Sequence, residues 1–333
     1  MADRPRVFVT RVLPGGDAPE SPIARLRAAA DVDVWEGATP PPPDVLRARL
    51  STVDGVLTML TERIDATVLD AAPRLRAVAN MAVGADNIDV PACTARGVVA
   101  TNTPGVLDEA TADMTFALLL SAARRLPEGE RAIREGTWGP WDPTWMLGHM
   151  VSGATLGIFG PGRIARAVAR RAQGFAMNVI YHGRHEVPDF PGEFVSLPNL
   201  LARADFVSVH VPLTAETTGI CDAAFFAAMQ PSAFFINTSR GPVVDQDALI
   251  RALESGAIAG AALDVMTPEP LPPDHPLLRA PHLVIAPHLG SATEETRTKM
   301  AQSAVAGLLA VLAGDRPTNA LNPEAASIDR SAP

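Results

Sequence analysis

Short apolar runs rich in β-branched residues alternate with helical patterns along nearly the whole chain, in two series. The first holds Arg6–Thr10, Val32–Trp35, Gly55–Leu60 and Leu75–Asn80. The second begins at Thr155 and continues through Asn178–His182, Phe206–Val211, Ala233–Asn237, Ala257–Leu263 and His282–Ile285. Apolar strands of this kind, separated by helices, are satisfied when both faces of a parallel sheet are covered. Each series therefore predicts a doubly wound α/β sheet, and 333 residues are enough for two such domains.

Six residues sharpen this. Gly160-Pro161-Gly162-Arg163-Ile164-Ala165 follows the apolar run 154–159 and opens a helical pattern of Ile164, Ala165, Val168, Ala169 and Ala172. Strand, glycine turn and helix in that order give a G-x-G-x-x-G/A match the context of a dinucleotide site. Gly160 permits the tight turn. Gly162 leaves room for a pyrophosphate over the free N–H groups of the helix start. Ala165, in place of a third glycine, still lets helix and strand approach closely. The Arg163 side chain either approaches phosphate or covers a solvated helix face.

Between the two series, Thr111, Met114, Thr115, Ala117, Leu118, Ala122 and Ala123 mark a long apolar helix within 108–135, and a second runs from Thr293 to Leu312. Thr103-Pro104-Gly105 and His288–Ser291 precede these helices and read as crossings between domains. The expected architecture is a Rossmann nucleotide-binding domain, residues 104–290, inserted in a smaller flavodoxin-like substrate domain built from residues 1–103 and 291–333. Pro40 to Pro43 reads as a linker. The polar tail after Pro317 is expected to be poorly ordered.

Charge and cysteine content exclude other classes. A net charge of −9 without a dense basic run argues against nucleic acid. Cys93 and Cys221 lack a CxxC neighbour, so neither a zinc site nor a dithiol motif is expected. No apolar run approaches the roughly 18 residues of a membrane span, and the N-terminus lacks an apolar signal core, so a cytoplasmic protein is expected.

The second strand of the nucleotide unit ends in Tyr181-His182-Gly183-Arg184. An NAD-selective site carries an acid there to hold the ribose 2′-OH; here Gly183 and Arg184 stand instead. A guanidinium can pair with a 2′-phosphate through two hydrogen bonds. NADP(H) is therefore the preferred cofactor, with NAD(H) left open.

Three later segments end strands, where open α/β sheets bind ligands. They are 235–241 with Arg240, 263–270 with Glu269, and 285–291 with His288. An arginine fork suits the carboxylate and carbonyl of a 2-oxo acid, and a histidine suits protonation of the alkoxide left by hydride addition. A carboxylate on the other imidazole nitrogen would orient the ring, and Glu269 is the candidate.

These segments closely resemble the D-isomer-specific 2-hydroxyacid dehydrogenases, with the greatest likeness to glyoxylate/hydroxypyruvate reductases. The matching stretches are 160–165, 181–184, 237–244, 261–272 and 287–293. The resemblance implies that Arg240, Glu269 and His288 are the substrate-binding arginine, the supporting glutamate and the acid/base histidine. It implies cofactor contacts at Gly160, Gly162, Arg163, Ile164, Gly183, Arg184, Val211, Pro212, Thr238, Asp264 and Gly290, with Asp264 holding the nicotinamide carboxamide. Substrate contacts are implied at Leu60, Val83, Gly84, Arg240 and Trp145, with backbone N–H groups near Val83 and Gly84 binding the carboxylate. In Trp138–Trp145, one aromatic would reach a partner's active site in a homodimer, Trp145 before Trp141. The implied activity is NADPH-dependent reduction of glyoxylate or hydroxypyruvate. The same chemistry on 2-ketogluconate or another 2-oxo acid, and more distantly a dinucleotide-sensing corepressor-like protein, are the alternatives. Glu269 disfavours formate oxidation, where the family has Gln.

Overall fold

The computed structural model describes residues 4–16 and 18–327. The chain forms two compact units, one from the chain up to Leu107 together with the chain from Thr293, the other from Asp108 to Ala292. The crossings lie slightly beyond 103 and 290. Thr103 is still held by the first unit, its N–H donating to the Ala82 carbonyl (2.9 Å), and Gly290 is tied into the second through Asp264 (2.7 Å).

In the first unit, β1 (Arg6–Val9), β2 (Asp31–Val34), β3 (Gly55–Thr58), β4 (Ala77–Asn80) and β5 (Val99–Thr101) form a parallel sheet in the order β2-β1-β3-β4-β5. This is the flavodoxin-like order. Between them run α1 (Pro22–Ala29), α2 (Pro43–Leu50), α3 (Ala66–Asp70) and α4 (Val90–Ala95). Their starts are written in the sequence. Ser21, Asp65 and Asp89 each accept an N–H from the first turn, of Ala24, Val68 and Ala92. Phe8, Leu50, Val56, Leu75 and Val78 are fully buried, and the helix Glu294–Ala313 packs back on β3 and β4.

Four expectations are corrected here. Val32–Trp35 reads as a buried strand, but β2 lies at the sheet edge and is only half-buried. Strand β5 goes unread, because three residues are too few to show a period. The prolines do more than link: Pro42 precedes α2 at its N-cap position, without a side-chain cap, and Pro43 starts it, where a missing N–H costs nothing. The tail is ordered as far as residue 327. Leu321 donates to the Ala100 carbonyl (2.8 Å), and Asn322, fully buried, accepts from Ala100 N–H and donates to the Val98 carbonyl and the Thr94 hydroxyl. A polar segment gains order here by pairing with a sheet edge.

The second unit opens with α5 (Asp108–Ala123) and α6 (Leu126–Arg134). The apolar stretch breaks after Ala123, where Arg125 takes a left-handed conformation (φ 53°) before Pro127. Then follow β6 (Thr155–Phe159), α7 (Arg163–Gly174), β7 (Asn178–His182), β8 (Glu193–Phe194), α8 (Leu197–Arg203), β9 (Phe206–Val209), α9 (Ala223–Ala227), β10 (Phe234–Asn237), α10 (Gln246–Glu254), β11 (Gly260–Leu263) and β12 (Leu283–Ile285). All seven strands are parallel, in the order β12-β11-β10-β9-β6-β7-β8. The order in which strands are added reverses between β6 and β9, the switch point where doubly wound folds bind nucleotides. Strands β9, β10 and β11 are buried throughout. The two-residue β8 escapes sequence reading for the same reason as β5.

Candidate active site

The glycine turn sits at the switch point. Gly160 has φ +97°, and a Cβ there would stand 2.8 Å from the His210 carbonyl carbon and the Val211 nitrogen. Only glycine fits this close approach in this conformation. Gly162, by contrast, faces open space and starts the twelve-residue α7 with no side chain capping its free N–H groups. An open helix N-terminus beneath a glycine turn is a fit for a pyrophosphate. The Arg163 side chain turns to Asp108 (3.3 Å), which leaves the backbone from Gly162 to Ile164 as the anion-facing part. Gly183 and Arg184 follow β7 without an acid, and Arg184 is exposed. It lies near Glu216, whose carboxyl is lowered by the Thr214 hydroxyl first and by the Arg184 charge among the lesser causes.

The sequence signal missed His210, which follows β9 beside the glycine turn. Its Nε2 lies 2.8 Å from the Ser208 hydroxyl, and burial pushes its pKa from 6.5 down to about 4.

Arg240, Glu269 and His288 all belong to this unit. His288 Nδ1 and Glu269 Oε2 are 2.8 Å apart, and the other carboxylate oxygen accepts the Met266 N–H (2.9 Å). Burial alone would raise the Glu269 carboxyl. The His288 hydrogen bond, the Met266 N–H and the charges of His288 and Arg240 outweigh it and hold it below the ordinary range. Arg240 is thus close enough to be felt at Glu269. Its own loop is set by Asn237, whose amide accepts from Ser239 and donates to the Arg240 carbonyl (2.9 Å). This is an Asx turn, legible in principle from Asn-x-Ser after a strand. Gly241 lets the two loops meet: a Cβ there would stand 1.9 Å from the Met266 carbonyl oxygen. Gln246 then holds Thr267, its amide donating to the Thr267 carbonyl and accepting the Thr267 N–H.

Two of the expected cofactor residues are engaged within the chain. Asp264 is 1% exposed, with Oδ1 on the Leu289 N–H and Oδ2 on the Gly290 N–H, both 2.7 Å. Burial raises its pKa despite these donors. Its carboxylate supports the His288 loop through these two N–H groups. His288 itself is left-handed (φ 57°), a strained position for this residue, and its N–H is held by the Asp264 carbonyl (2.8 Å). The Thr238 hydroxyl is buried against that of Thr115 (3.0 Å).

The Trp-rich segment does not pack its rings inside the chain. Trp138 is 63% exposed, Trp141 87% and Trp145 44%, and Leu126, Ile133, Leu147 and Met150 are exposed nearby in sequence. Leu60, Val83 and Gly84 lie in the first unit, on loops that follow β3 and β4. Among the described residues, no helix is long and apolar enough to cross a membrane.

Residues 116–290 match the family described as D-isomer specific 2-hydroxyacid dehydrogenase, NAD binding domain. The chain belongs to this family. It is 48% identical to a glyoxylate reductase from Korarchaeum cryptofilum over 98% of each chain. A protein from Thermus thermophilus superposes with a TM-score of 0.89 at 47% identity, covering 95% of this chain and 99% of its own. An NADPH-dependent glyoxylate/hydroxypyruvate reductase from Sinorhizobium meliloti, solved with NADP and malonate, superposes with a TM-score of 0.82 at 33% identity, covering 97% and 98%. The protein is an NAD(P)-dependent dehydrogenase built on two parallel α/β sheets, one of them Rossmann-type.

Proposed function

We propose that this dehydrogenase reduces small 2-oxo acids, glyoxylate and hydroxypyruvate first, to D-2-hydroxy acids with NADPH. The observation that carries the reading is the 2.8 Å His288–Glu269 pair in the unit that holds the glycine turn, within reach of the Arg240 charge. When bound, the nicotinamide supplies the hydride. Arg240 anchors the substrate carboxylate and polarises the adjacent carbonyl. Glu269 occupies Nδ1 of His288, so the transferable proton sits on Nε2. His288 gives that proton to the carbonyl oxygen as hydride reaches the carbon. The substrate takes up one hydride and one proton, and the imidazole recovers its proton from solvent.

Several features support the finer choices. Arg184 without a neighbouring acid favours the 2′-phosphate, and the Sinorhizobium meliloti relative is NADPH-dependent. The exposed Trp138, Trp141 and Trp145 favour a homodimer in which Trp145 reaches the partner's substrate. Two free, buried cysteines suit a reducing cytoplasm.

The test follows absorbance at 340 nm with NADPH or NADH and a panel of 2-oxo acids. Turnover should be fastest with NADPH and glyoxylate or hydroxypyruvate. No loss of absorbance with any 2-oxo acid would defeat the reading, and a clear NADH preference would defeat the cofactor choice.

A further inference from the structure

The loop that carries Glu269 is short, and side chains hold its backbone. Glu269 Oε1 takes the Met266 N–H (2.9 Å). Gln246 takes both backbone groups of the next residue. Its Oε1 accepts the Thr267 N–H (2.8 Å), and its Nε2 donates to the Thr267 carbonyl. Those two groups belong to the peptides on either side of Thr267, so one side chain orients both planes. A carboxamide suits this task because it offers a donor and an acceptor side by side. Beyond this hold, Glu269 Oε2 lies 2.8 Å from His288 Nδ1.

Gln246 is itself anchored to the segment that carries Arg240. The Val244 N–H donates to the Gly241 carbonyl (3.0 Å), closing a turn directly after Arg240. The segment then pairs with residues 219–221. Gly219 N–H donates to the Pro242 carbonyl (2.9 Å), Cys221 N–H to the Val243 carbonyl and Asp245 N–H to the Cys221 carbonyl (both 3.1 Å). Asp245 caps α10 by accepting the Ala248 N–H (2.9 Å). Gln246, half-buried, is the first residue of that helix. Its side chain is thus a strut between the Arg240 segment and the Glu269 loop.

We infer that Gln246 is a positioning residue that sets the Glu269–His288 pair against Arg240. It acts through Glu269. A freed loop lets the carboxylate drift from Nδ1, and the ring loses both its orientation and the charge that favours its protonated form. Arg240 keeps its own bracing through residues 219–221, so the loss falls on turnover more than on substrate binding. The inference rests on the reading of Arg240, Glu269 and His288 as the machinery of a 2-oxo acid reductase.

Gln246→Met keeps the length of the side chain and removes both hydrogen bonds. The expected result is about a tenfold fall in kcat for glyoxylate reduction, the scale of a small misplacement of reacting groups. KM for glyoxylate should change by less than about threefold. The alkaline limb of the kcat profile should move to lower pH, since a loosened carboxylate no longer favours the protonated ring. Gln246→Glu is the second variant, should the methionine not fold. It sets a carboxylate oxygen against the Thr267 carbonyl and should act in the same direction. Added to Glu269→Ala, the Gln246→Met change should lower kcat by no more than about twofold further, because the strut then has no carboxylate to place. A folded Gln246 variant with kcat within about twofold of wild type, or a fully additive loss in the double variant, would overturn the assignment. Wild-type turnover in Glu269→Ala would instead overturn the reading on which it rests.

Discussion

Acidification should weaken the nucleotide unit through His210. Its imidazole is held neutral in the fold, with a pKa pushed from 6.5 down to about 4, and it meets Ser208 through Nε2. The unfolded chain takes up a proton as pH drops below about 6.5, whereas the folded chain resists until about 4. The folded value is the lower one, so this stabilisation is present above pH 6.5 and is lost as pH falls towards 4. Linkage gives a loss of about 1.4 kcal/mol at about pH 5.5 and about 2.5 kcal/mol at about pH 4.5, with almost none at about pH 7.5. His210→Gln keeps a polar partner for Ser208 but cannot titrate. Urea unfolding of coenzyme-free protein, followed by fluorescence at about pH 7.5 and about pH 5.5, isolates the effect, because most carboxylates remain ionised across that interval. The wild type should lose about 1.3 kcal/mol more than the variant between the two conditions. Equal losses would refute the histidine held neutral by the fold.

Replacing His288 by Asn should lower kcat by about 10²-fold or more in steady-state assays, the usual scale for a general acid; near-full turnover would remove His288 from the chemistry. Arg184→Ala should lower kcat/KM for NADPH by about tenfold or more while sparing NADH, and equal effects on both coenzymes would contradict a 2′-phosphate contact. Glu269 has a lowered carboxyl, so its contribution to stability is present above the ordinary carboxylate range and is lost as pH falls through its folded value. Glu269→Gln should flatten that acid limb of the unfolding profile, and an unchanged limb would speak against the charged pair. Asn322→Ala strands the buried Ala100 N–H and should cost about 1–3 kcal/mol in denaturant unfolding; a change below about 0.5 kcal/mol would mean the tail is not part of the sheet edge.

Much of the fold was legible because parallel strands buried on both faces advertise themselves as apolar runs. Asn178–His182 is a strand with the expected bounds, and Phe206, Phe234 and Gly260 start strands inside the expected runs. Elements whose order comes from a neighbour were not legible. Strands β5 and β8 are too short to carry a period, and the tail after Pro317 looks unstructured until Ala100 and Val98 are there to receive it. Site legibility divides in the same way. Arg240, Glu269 and His288 could be chosen because each reactive side chain ends an apolar run. The two N–H groups that Asp264 holds could not be read, since an acid after a strand looks the same whatever donors the fold brings to it.

Sequence by itself determined the two parallel α/β units, the glycine turn at a strand-to-helix junction and the types of reactive side chain at the strand ends. These follow from local patterns of polarity and from conformations that only glycine tolerates. Tertiary structure decided which of those groups meet: the Glu269 carboxylate on His288 Nδ1, Asp264 beneath the His288 loop, Gln246 on both backbone groups of Thr267. The physical reason is range. A hydrogen bond acts over about 3 Å, and residues far apart in the chain come that close only after the sheets have assembled.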